Sequence, residues 1–101
     1  MSKKIFKHEL GHVDILHHGY NKRIEVPRYS EILRVDVQYG LVVVWTIHDT
    51  SDEDTTDVLY FSIYGTGHEI NDSLCSSFAV EQYLDTVFNA DRSLVWHIFW
   101  S

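Results

Sequence analysis

The sequence predicts a mainly β fold: a compact antiparallel sandwich or barrel of six or seven short strands, with at most one short helical turn. Three observations carry this expectation. Apolar residues recur at every second position along most of the chain, turn residues interrupt that pattern every eight to twelve residues, and the single proline ends an apolar run instead of lying inside one. With 101 residues, 45% of them hydrophobic and 14% aromatic, residues 1–101 read as one domain able to bury its own core.

Residues 3–10 and 22–26 are the first two strands, split by the turn His17-His18-Gly19-Tyr20-Asn21. Pro27, which has no N–H for a ladder, ends the second. Residues 31–48 read as a β-hairpin turning at Tyr39-Gly40. In its first arm Leu33, Val35 and Val37 alternate with Arg34, Asp36 and Gln38; its second arm, Leu41 to His48, is β-branched and aromatic enough to be buried on both faces. Trp45, in line with Leu41, Val43 and Ile47, is expected in the core.

The stretch Asp49 to Asp57 holds five acids and no apolar side chain, which predicts a solvated loop before a strand from Val58 to Tyr64. Residues 72–80 are the place for a short helical turn. Strands at about 81–88 and 93–100 follow, joined by the turn Asn89-Ala90-Asp91-Arg92. In the last strand Trp96, aligned with Leu94 and Ile98, belongs to the core, and His97 faces the other way.

Eight Lys and Arg against 15 Asp and Glu leave a formal charge of −7, which argues against a nucleic-acid backbone binder or an anionic-membrane binder. The imbalance is uneven: residues 1–48 hold seven basic and five acidic side chains, residues 49–101 one and ten. One cysteine, Cys75, and no apolar run long enough for a signal peptide or a span lead us to expect a reduced, cytoplasmic chain. Surplus aromatics and open strand edges lead us to expect a homo-oligomer.

His8-Glu9-Leu10-Gly11-His12 matches H-E-x-x-H, where two histidines one helical turn apart hold zinc and the glutamate is the base. The chemistry needs a helix, yet Gly11 weakens one and nothing before His8 caps it. On a strand the two histidines would share a face but stand about 13 Å apart. We therefore expect a chance match, with no catalytic metal, no cofactor and no enzymatic activity. His17, His18, His48, His68 and His97 are expected to be surface or hydrogen-bonded histidines, the alternative being a different metal site that strand pairing assembles from distant positions.

Tyr64-Gly65-Thr66-Gly67-His68 directly follows a strand, and two glycines around a hydroxyl allow the backbone to point successive N–H groups into one concavity. A phosphate or carboxylate fits such a nest, and a plain tight turn has the same composition. The candidate ligand site takes Gly65, Thr66, Gly67 and His68 at the anion, Arg34 or Arg28 as the charge partner, and Trp45 and His97 as further lining.

Val26-Pro27, Ile32-Leu33-Arg34-Val35-Asp36-Val37-Gln38, Trp45, Tyr64-Gly65-Thr66-Gly67-His68-Glu69-Ile70 and Val95-Trp96-His97-Ile98-Phe99 together resemble a family of small uncharacterised tailed-phage proteins. The G-T-G-H and terminal V-W-H-[VI]-F motifs are its most specific parts, and the segments 49–57 and 71–80 depart from its pattern. The resemblance implies an accessory phage protein in the host cytoplasm and no particular activity. The expected function is non-enzymatic counter-defence by sequestering a nucleotide-like anionic small molecule. The alternative is an acidic interaction module that inhibits a host defence protein, with the loop 49–57 imitating DNA.

Overall fold

The computed structural model describes residues 2–70 and 82–101. Its strands are β1 (Lys3–His12), β2 (Tyr20–Pro27), β3 (Glu31–Gln38), β4 (Leu41–Asp49), β5 (Thr56–Gly65), β6 (Gln82–Phe88) and β7 (Val95–Trp100). A 3-10 turn, Thr50–Asp52, is the one helical element among the described residues. The turn expected at 72–80, and Cys75 with it, lie outside them.

Two antiparallel sheets form, in the orders β1-β4-β3 and β2-β5-β7-β6. They close on a shared core. Leu10, Val35, Val42 and Val44 come from the first sheet, Leu59, Phe61, Ile63, Val87 and Ile98 from the second, and Val13 and Leu16 from the β1–β2 connection. Trp96 and Trp100 pack against this cluster, so Trp96 turns inward as expected, and its indole N–H donates to the Val13 carbonyl at 3.0 Å.

The hairpin turn forms where the sequence places it. Tyr39 and Gly40 have φ of +51° and +80°, the pair of positive values that a type I′ turn requires and that suits the right-handed twist of both arms.

Two expectations about facing are corrected. Trp45 is not in the core: the interior of β4 is the other parity, Val42, Val44, Thr46 and His48, and Trp45 lies half-buried on the outer face. With apolar side chains on both faces, alternation alone names no inside. Leu33 is exposed because a β-bulge between Ile32 and Arg34 adds a residue to β3, so that Ile32 takes the inward place.

The acidic stretch is exposed over most of its length, and three of its acids are tied to the fold. The Asp49 carboxylate caps the 3-10 turn by accepting from the Ser51 N–H and hydroxyl at 3.0 and 2.8 Å; these bonds hold its pKa below the usual carboxylate value. Glu53 accepts from the buried His48 at 2.8 Å with Lys4 at 3.5 Å on the same oxygen, and its pKa is lowered, chiefly by the His48 bond. Asp57 accepts from the Tyr29 N–H at 3.3 Å.

Candidate ligand site at the Gly65–His68 turn

β5 pairs with β7 from Phe61 opposite Trp100 to Gly65 opposite Trp96, and then leaves the sheet. Beyond that point Thr66, Gly67 and His68 are exposed, and Gly67 takes φ of +82°, a conformation that favours glycine. The turn is anchored at both ends by one side chain. The Gly65 N–H donates to His18 Nδ1 at 3.0 Å, which makes that nitrogen the unprotonated one; Nε2 therefore carries the hydrogen and donates to the Glu69 carbonyl at 2.9 Å. His18 is thus held as its neutral Nε2–H tautomer. His68 stacks on it, centroids 4.6 Å apart and planes at 22°.

His97, on the face of β7 away from the core, lies between two hydroxyls. Thr66 Oγ1 is 2.7 Å from its Nε2 and Thr86 Oγ1 is 2.9 Å from its Nδ1. A neutral imidazole donates through one nitrogen and accepts through the other, so one threonine must give a proton and the other take one. Thr86 in turn bonds the Tyr83 hydroxyl at 2.8 Å, which extends the chain across β6. Beside it runs a ladder of rings: Tyr83 edge-on to Phe99, Phe99 edge-on to Tyr64, and Tyr64 tilted against His18.

The turn itself borders a cleft of about 340 Å³ lined by Gly65, Thr66, His68, Ser93, Leu94, Val95 and Trp96; His97 is linked to it only through Thr66. One wall is the glycine turn with a hydroxyl and an imidazole. The other is Leu94, Val95 and Trp96 with Ser93 at its end.

Of the residues selected from the sequence, Gly65, Thr66, Gly67, His68 and His97 come together here. Arg34 and Trp45 do not: they line a separate shallow cavity of about 380 Å³ with Ile5, Leu33 and Asp36 on the outer face of the other sheet. Arg34 is paired with Asp36 at 3.1 Å. Arg28 lies in the β2–β3 turn with its guanidinium 4.8 Å from the Tyr29 ring centroid. Neither arginine supplies charge to the turn. Thr86 and Tyr83 were missed because their link to His97 depends on the β6–β7 register, of which the sequence holds no signal.

The H-E-x-x-H segment is strand, as expected. A bulge between Glu9 and Gly11 changes the parity, so that His8 sits opposite the inward Val44 and His12 opposite the outward Leu41. The two histidines therefore point to opposite faces, not to the same one. His8 lies 3.1 Å from Thr46 Oγ1, and burial lowers its pKa; His12 accepts from the Asp14 N–H at 3.2 Å.

Compared with known protein families, residues 1–101 match a domain of unknown function, DUF7352. The chain belongs to that family. No curated protein and no solved structure matches it. In this DUF7352 chain the Gly65–His68 turn places Gly65, Thr66 and His68 at the cleft, with His18 anchoring the turn and His97 bonded to Thr66 behind it.

Proposed function

We propose that this DUF7352 chain is a small non-enzymatic phage accessory protein that sequesters a nucleotide-like anionic molecule in the host cytoplasm, as a counter-defence factor. The observation that supports the binding half is the two-sided cleft at the end of β5. Thr66 and the stacked His68 offer polar groups to an anion, and Leu94, Val95 and Trp96 offer an apolar wall to a flat base. The phage and counter-defence half is supported by the G-T-G-H and V-W-H-I-F motifs alone.

The test is calorimetric titration with cyclic di- and trinucleotides and ADP-ribose derivatives. Binding of one of them, weakened at least tenfold in both Thr66→Val and His68→Ala, with the nucleotide recovered intact by chromatography, is the expected result. Absence of heat from every compound removes this function, and recovery of a cleaved product replaces sequestration with catalysis.

A further inference from the structure

We propose that the outer face of the β1-β4-β3 sheet is the interface of a homodimer, two copies packing face to face about a two-fold axis that runs across the strands, midway between the rows centred on Trp45 and Val43. This rests on different residues from the ligand cleft.

The face is apolar where a lone chain should not be. Ile5 is 58% exposed and Leu33 49%, and with Trp45 they line one cavity on this face, beside the Lys7 side chain that reaches Gln38 at 3.4 Å. The occupant is indicated by charge. Strand register sets three-residue rows across the face: Lys7, Trp45 and Arg34 lie side by side, and the next row, two residues along each strand, is Glu9, Val43 and Asp36. One row is basic at both ends and its neighbour acidic at both ends.

The proposed axis lays the first row of each copy on the second row of the other. Lys7 then meets Glu9 and Arg34, already beside Asp36 of its own chain at 3.1 Å, meets the second copy's Asp36, while the Trp45 indole lies over the row of Val43, which its own chain already buries to 1% exposure. The flanking rows agree: Ile47 falls on Leu41, and Glu31 on the uncharged Gln38. No like charges meet within these four rows. Shifting the axis by half a row in either direction sets Trp45 on itself with Lys7 and Arg34 on their own kind, or Glu9 and Asp36 on theirs, so the alternating rows disfavour both of those packings.

Three strands of about nine residues present a footprint of roughly 15 by 30 Å. That is at the small end of specific interfaces, and association in the micromolar range is expected.

Sedimentation equilibrium of the full chain tests this. The mass should rise with concentration from 11.8 kDa towards twice that value, and the rise should be suppressed at high salt. Two charge-reversed variants, Lys7→Glu with Arg34→Glu and Glu9→Lys with Asp36→Lys, should each sediment as a monomer and, mixed in equal amounts, should regain the dimer. Recovery on mixing shows that both variants are folded. A wild-type chain that stays at the monomer mass up to millimolar concentration overturns the proposal and leaves the face to a different protein. Dimerisation that survives in either variant, or that mixing does not restore, overturns it as well.

Discussion

Removing the His18 imidazole should release the Gly65–His68 turn. In His18→Ala the half-buried Gly65 N–H loses its acceptor, which costs ~1–3 kcal/mol when no partner replaces it and less where water reaches it. The exposed Glu69 carbonyl loses its donor to water at little cost, and the contacts with His68 and Tyr64 go as well, worth ~0.5–1 kcal/mol for ring pairs. Together this is a loss of about 2 kcal/mol. For a domain of this size it lowers the melting temperature by roughly 8–16 °C.

His18→Asn is the informative companion. Its side-chain oxygen can stand near the position of Nδ1 and accept from Gly65, so it should recover at least half of the lost stability. Differential scanning calorimetry measures both variants, and the wild-type imidazole should report a proton on Nε2 in long-range ¹H–¹⁵N spectra. A His18→Ala chain melting within about 2 °C of wild type, an asparagine variant no better than alanine, or a proton found on Nδ1 would each refute the anchoring role.

Three other outcomes are expected. Gly40→Ala should lose about 1–2 kcal/mol in urea unfolding, since Gly40 sits at φ of +80° and a Cβ there would lie 2.5 Å from His12 Nε2; an unchanged midpoint would contradict the type I′ turn. Trp96→Phe keeps most of the buried ring but leaves the Val13 carbonyl without its donor, so a loss of about 1–2 kcal/mol is expected by the same method. Glu53 has a lowered folded-state pKa, so its contribution is present above the ordinary carboxylate value of 4.5 and disappears as the pH falls through the lower folded value. Glu53→Gln should therefore flatten the acid limb of the stability profile below about pH 4.5; an identical limb in the variant would show that the His48–Glu53 bond contributes nothing.

The local chemistry of the chain was sufficient for its strands. Alternating side chains in residues 31–37, β-branched residues in Leu41–His48, Tyr39-Gly40 at the hairpin and Pro27 at the end of β2 each act within a few residues, and each appears in the structure close to where the sequence places it. The coming together of Gly65, Thr66, Gly67 and His68 is legible for the same reason, being one turn. What tertiary structure decided is parity and proximity. A strand apolar on both sides, such as β4, learns which face is inside only when the second sheet covers one, and the choice of Val42 and Val44 put Trp45 outside. One extra residue in β3 and one in β1 reversed Leu33 and separated His8 from His12, because a period of two is inverted by a single insertion. The partners of the turn, His18 from 47 positions away and His97 from 31, depend on strand order and register. Arg34 fell on the opposite sheet for that reason: its position follows from β3 pairing with β4 and not with β5.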